Sequence, residues 1–204
     1  MDIYTENYER LRQRLENRRA AVIGLGKSNI PLIRFLHGLG CAVTACDKKT
    51  REELGKALDP LAGLPVTYSL GQDYLQGVAG CDYLFVTPGM PKDLPEIKAA
   101  IDAGAKLDSE MGLFFSLCRA PIIGITGSIG KTTTTTITGE ILRAAGRTVH
   151  VGGNIGHPLL SEAEHITPDD IVVLELSSFQ LQMLERSPQI SVVLNIIPNH
   201  LDHH

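Results

Sequence analysis

The chain has 204 residues, 43% of them hydrophobic and 21% charged, with a formal net charge of −4. These are the proportions of a globular chain with a packed core, and the acidic balance excludes a general nucleic-acid or anionic-membrane binder, which needs a basic face. No apolar run approaches the ~20 residues that cross a bilayer, and the polar opening over residues 1–9 lacks the basic start and apolar stretch of a secretory signal.

Taken in chain order, Tyr8, Leu11 and Leu15 repeat at helical spacing in that polar opening. Ala20-Ala21-Val22-Ile23 is an apolar run that stops at Gly24-Leu25-Gly26. Ile30, Ile33, Leu36 and Leu39 then follow a helical period to Gly40, and a second apolar run, residues 41–46, stops at Asp47. Strand, glycine turn, helix and strand make the unit from which parallel sheets are built. Cys41, Cys46, Cys81 and Cys118 show no CxxC spacing and read as reduced thiols of a cytoplasmic protein. Tyr83-Leu84-Phe85-Val86 reads as a buried strand ended by the turn Thr87-Pro88-Gly89, and residues 94–103 as a helix closed by Gly104. A second series starts near Arg119. Residues 121–125 read as a strand and 132–145 as a helix with Ile137, Ile141, Leu142 and Ala145 on one face. Residues 148–151, 171–174 and 192–194 are further strands. The fold class is α/β: a Rossmann-like parallel-sheet domain over 1–118, then a second α/β domain over 119–204. The second segment is short for such a sheet, so the reading takes it as incomplete, with an exposed strand edge that favours self-association.

The sharpest motif follows the strand at 121–125. Gly127-Ser128-Ile129-Gly130-Lys131-Thr132-Thr133 opens a helix. Glycines let a backbone curl so that amides face phosphate oxygens, and the helix start adds a positive dipole end. Lys131 is spaced to reach the β- and γ-phosphates and Thr132 to ligate Mg²⁺. The longer GxxxxGK[ST] form is not met, since Ile125 stands at its first glycine. The alternative is a glycine-rich turn with a surface lysine. Glu175 ends the apolar strand 171–174, and ligands of parallel α/β sheets gather at the carboxyl ends of strands. A carboxylate there can hold Mg²⁺. Past the strand at 192–194 comes Asn195-Ile196-Ile197-Pro198-Asn199-His200-Leu201-Asp202, in which His200 is a further candidate for metal or phosphate. Gly24-Leu25-Gly26-Lys27-Ser28-Asn29, with Asp47 beyond the next strand, leaves three readings open. These are a nicotinamide-dinucleotide turn, another nucleotide-diphosphate site, or a structural turn, because Asn29 replaces the third glycine of the dinucleotide pattern.

Together these segments, with Gly152-Gly153-Asn154-Ile155-Gly156 and Glu175-Leu176-Ser177-Ser178-Phe179-Gln180-Leu181, resemble the Mur ligases, and within that family the D-glutamate-adding branch. The resemblance implies an ATP-dependent ligase with UDP-N-acetylmuramoyl-L-alanine and D-glutamate as substrates and ATP and Mg²⁺ as cofactors. By the same resemblance Lys27, Ser28, Asp47 and Gly89 hold the UDP moiety, and Asn154, Ser177 and Gln180 line the muramoyl and metal side. It also makes the second domain, over 119–204, a P-loop α/β ATPase domain, in which Gly127 to Thr133 bind the ATP phosphates, Lys131, Glu175 and His200 serve catalysis, and Thr132, Glu175 and His200 hold Mg²⁺. The family continues well beyond the His-Leu-Asp segment, so this length of chain is expected to fall short of full ligation. The remaining expectation is a UDP-sugar-peptide-binding fragment without turnover. Ile129 departs from the family's usual asparagine, which is expected to weaken the loop.

Overall fold

The computed structural model describes residues 3–198; His200 and the rest of the His-Leu-Asp segment lie outside the described residues. Two compact units divide the chain, one formed mainly by Thr5–Glu110 and the other beginning at Met111. No helix among the described residues is long and apolar enough to cross a membrane.

The first unit is a five-stranded parallel sheet in the order β3-β2-β1-β4-β5. Its strands are β1 (Arg19–Ile23), β2 (Ala42–Asp47), β3 (Thr67–Leu70), β4 (Tyr83–Val86) and β5 (Lys106–Asp108). Central β1 pairs with both β2 and β4, setting Ala20 opposite Val43 and Tyr83. Every residue of β4, and every residue of β1 after Arg19, is buried. That is why these strands read as continuous apolar runs rather than alternating ones. Helix α1 (Ile3–Leu15) buries Leu11 and Leu15. Helix α2 (Asn29–Gly38) contributes the fully buried Leu32, Ile33 and Leu36, each worth about 1.5–3 kcal/mol of transfer free energy. Short α3 (Arg51–Leu54) starts at a capping box between Thr50 and Glu53, and α4 (Pro95–Asp102) buries Ile97. The chain leaves β1 toward β2 and β3, then returns to place β4 on the other side of β1. The carboxyl ends of β1 and β4 therefore flank the topological switch point, where such sheets open a crevice.

The second unit repeats the logic with four parallel strands in the order β7-β8-β6-β9: β6 (Ile122–Thr126), β7 (Val149–Gly153), β8 (Ile171–Glu175) and β9 (Ile190–Val193). Its helices are α5 (Glu110–Leu117), α6 (Lys131–Ala144) and α7 (Ser178–Leu181). Ile125, Val149 and Val173 form a core joined by Leu142, Val151 and Leu194. The inward face of α6 differs from the sequence reading. Thr135 and Gly139 are its buried residues and Leu142 packs on the core, while Ile137 and Ile141 are exposed. At Gly139 the reason is proximity: a Cβ there would stand 2.6 Å from Val151 Cγ2, so glycine lets the helix pass close to β7. Strand β9 lies at the sheet edge. Among the described residues no strand pairs with its outer side, and Ile190 and Val193 are 55% and 59% exposed.

Candidate functional site

Three carboxyl strand ends converge in the second unit. The register sets Ile125 of β6 beside Glu175 of β8 and Thr126 of β6 beside Val193 of β9. The loop that follows β6 therefore sits between the segments that follow β8 and β9, again at the switch point of a parallel sheet.

Gly127 has φ +142°, and a Cβ there would stand 3.1–3.2 Å from Leu194 Cβ and the Asn195 backbone. Glycine permits both the dihedral and the close pass. Gly130 turns left-handed, at φ +87°, as the residue capping α6. The first intrahelical bond runs from the Thr134 amide to the Gly130 carbonyl at 3.0 Å, so the amides of Lys131, Thr132 and Thr133 lie ahead of it as the open donors of a helix start. Lys131 Nζ folds back on the loop, donating to the carbonyls of Gly127 (2.6 Å) and Ser128 (3.3 Å).

Glu175 is only 2% exposed. Its Oε2 accepts from Thr132 Oγ1 at 2.7 Å and its Oε1 from Asn154 Nδ2 at 2.9 Å, while the Asn154 amide donates to the Glu175 carbonyl at 2.8 Å. The sheet thus brings Thr132, Asn154 and Glu175, from three separate stretches of sequence, into one hydrogen-bonded group. Ser177 and Gln180 are engaged with each other. Ser177 caps α7, accepting from the Gln180 amide at 3.2 Å, and Gln180 Oε1 accepts from the Ser177 amide at 2.9 Å.

In the first unit Lys27 and Ser28 are exposed on the turn after β1, and Gly89 follows β4 with φ +86°. Asp47, at the end of β2, is 9% exposed and already serves two backbone amides: Oδ2 accepts from Leu25 at 2.6 Å and Oδ1 from Lys49 at 2.9 Å. Asn29, at the missing third glycine, is buried and ties the turn from inside. Its Nδ2 donates to the carbonyls of Ile23 (3.0 Å) and Gly24 (2.7 Å), and Thr87 Oγ1 donates to the Ile23 carbonyl at 2.7 Å. Sequence reasoning missed Asn29 and Thr87 as turn anchors. The one available signal was a polar residue opening a helix whose next four residues are apolar.

Sequence reasoning also missed the tie between the loop and the segment after β9. Asn195 Oδ1 accepts from the Ile129 amide at 3.0 Å and Asn195 Nδ2 donates to the Ile129 carbonyl at 2.8 Å. Ile129 itself is 66% exposed; its side chain has no part in that tie.

Comparison with known proteins follows the same division. Residues 18–108 match the Mur ligase MurD-like N-terminal domain and residues 125–204 the Mur ligase middle domain. The chain is 58% identical over 186 residues to UDP-N-acetylmuramoylalanine–D-glutamate ligase of Symbiobacterium thermophilum, covering 91% of this chain and 41% of that protein. It is 50% identical to the protein of the same name from Ruminiclostridium cellulolyticum, covering 96% and 42%. It therefore spans about two-fifths of the length of the curated relatives it matches. Among solved structures, a UDP-N-acetylmuramate:L-alanyl-gamma-D-glutamyl-meso-diaminopimelate ligase from Neisseria meningitides shares the fold, with a TM-score of 0.54 at 19% identity over 92% of this chain and 63% of that one. With two adjoining family domains matched in order and relatives at half identity or better, the chain belongs to the Mur ligase family.

Proposed function

We propose that this chain carries the UDP-substrate-binding and ATP-binding parts of a cytoplasmic ligase that joins D-glutamate to UDP-N-acetylmuramoyl-L-alanine. One observation carries the reading: a buried carboxylate, Glu175, held between Thr132 and Asn154 beside the open start of α6. Mg²⁺ keeps several waters and takes one or two carboxylates or hydroxyls together with phosphate oxygens. The donor set of Thr132 and Glu175 fits that requirement, and the helix-start amides fit a polyphosphate.

In this reading the residues divide the work. Gly127 and Gly130 shape the loop, the amides from Lys131 to Thr133 receive the phosphates, and the Lys131 ammonium exchanges its loop carbonyls for phosphate oxygens. Thr132 and Glu175 hold Mg²⁺, with His200 as a further ligand. Asn154 fixes the direction in which Glu175 points. Lys27, Ser28, Asp47 and Gly89 take the UDP end of the substrate, and Ser177 and Gln180 lie toward its muramoyl end. Bound ATP would supply the phosphoryl group that converts the substrate carboxylate to an acyl phosphate, with ADP leaving, and the amine of D-glutamate would then displace phosphate.

Calorimetric titration with MgATP, UDP-N-acetylmuramoyl-L-alanine and NADH tests the reading. Binding of the first two and indifference to NADH is expected, and Lys131→Ala should weaken MgATP by at least about tenfold, the loss of one charge-assisted contact. Preferential NADH binding, or unchanged MgATP affinity in Lys131→Ala, would overturn it.

A further inference from the structure

We infer that Asn195 is a positioning residue for the phosphate loop, its carboxamide acting with Ser128 as a strap that holds the loop's curl before any ligand arrives. The inference rests on the ATP-binding reading above and adds to it a residue from outside the loop.

Five hydrogen bonds join the two segments. The Ser128 amide donates to the Asn195 carbonyl at 3.2 Å, and Ser128 Oγ donates to the Ile197 carbonyl at 2.8 Å and accepts from the Ile197 amide at 2.9 Å. The remaining two are the pair between the Asn195 carboxamide and the Ile129 peptide. These continue the ladder of β6 and β9, whose next rung runs from the Leu194 amide to the Thr126 carbonyl at 3.0 Å. The sheet's own pairing thus reaches past the strands and into the loop. At Ile129 the Asn195 side chain replaces a neighbouring backbone, offering one acceptor and one donor as a strand would.

A generic stabilising contact would not have this placement. Ile129 is exposed, so no apolar burial holds the outer half of the curl; at Ile129 the hold is polar and comes from the Asn195 carboxamide. The strap also sorts the loop's amides. Those of Ser128 and Ile129 are committed to Asn195, which leaves phosphate to the helix-start amides of Lys131, Thr132 and Thr133. Ordering these residues in advance removes an entropic cost that a ligand would otherwise meet.

The test uses Asn195→Ala and Asn195→Asp in the 204-residue chain, with MgATP calorimetry and, without nucleotide, amide hydrogen exchange. Asn195→Ala should weaken MgATP roughly tenfold and speed exchange at the Ile129 amide by a similar factor, as two lost hydrogen bonds imply, while the Leu174 amide in β8 keeps its rate. Asn195→Asp retains the acceptor but sets a charge against the Ile129 carbonyl. At about pH 8 it should bind MgATP as weakly as the alanine variant, since the ionised carboxylate has no donor for that carbonyl. MgATP affinity and Ile129 exchange in Asn195→Ala within about twofold of the parent, or equal acceleration at Leu174, would overturn the strap. A parent chain that bound no MgATP would overturn the nucleotide reading instead, and the exchange rates at Ile129 and Leu174 would then decide the strap alone.

Discussion

Thr132 donates its hydroxyl to Glu175 across 2.7 Å although the two stand 43 positions apart in sequence. Parallel pairing of β6 with β8 brings them together, and Asn154 occupies the other carboxylate oxygen. Both donors are neutral, so neither offsets the charge of a buried carboxylate, an arrangement that costs stability unless a cation repays it. Glu175→Gln keeps the volume and removes the charge. It should weaken MgATP by about tenfold or more while changing affinity for ATP in excess chelator far less, and it should not lower the melting temperature. Equal losses with and without Mg²⁺ would count against metal binding at this carboxylate.

Ile129→Asn restores the residue usual in the family at that position. Because the loop is tied through the backbone of Ile129 by Asn195, the expected gain in MgATP affinity is small, within about twofold, the effect of a surface change away from a special feature. A tenfold gain by calorimetry would show that the side chain at 129 contributes directly.

Asn29→Ala removes the donor shared by the Ile23 and Gly24 carbonyls inside the first glycine turn. A buried acceptor left short of a partner costs about 1–3 kcal/mol. Urea unfolding should show a first-unit transition destabilised by that amount, with MgATP affinity in the second unit unchanged. An unshifted transition would mean that Thr87, which also donates to the Ile23 carbonyl, suffices.

Asp170 gives the second unit a dependence on acidity. Desolvation pushes its carboxyl up, but hydrogen bonds from the Thr167 amide, the His150 ring and the Thr167 hydroxyl outweigh burial and hold it below the ordinary carboxylate value. The distances are 2.9 Å to the Thr167 amide and 3.1 Å to His150 Nε2. Since the folded value lies below the unfolded one, the stabilisation is complete above about pH 4 and fades as pH falls through the folded value. Asp170→Asn should melt below the parent at neutral pH, and the two curves should converge in acid. A gap in Tm that stayed constant down to about pH 3 would contradict this assignment.

Much of this architecture was legible because β1, β2, β4, β6 and β8 are largely buried and so appear as apolar runs stopped by glycine or an acid. Strand β3, half-exposed, and β5, three residues with a charge at each end, carry no such signal. Helix α5 buries Met111, Leu113, Phe114, Phe115 and Leu117, too many faces to show a period. In α6 hydropathy pointed to Ile137 and Ile141, whereas the buried positions are Thr135 and Gly139, the latter set by its close pass to Val151. Within the candidate site, Thr132 and Glu175 were legible from motif and strand end. Asn195 was not marked as a loop anchor, since a side chain that pairs with backbone 66 positions away leaves no local trace.

Among the described residues nothing pairs with the outer side of β9, and its stretch from Ile190 to Val193 holds neither a charge nor a proline to discourage company. Such a border is a template on which another chain can add a strand. Sedimentation should therefore report dimers or larger species of this chain as its concentration rises, and a lysine in place of Val193 should return it to single particles. A strand added there would lie beside the stretch that runs on through Leu194 and Asn195 to tie the phosphate loop.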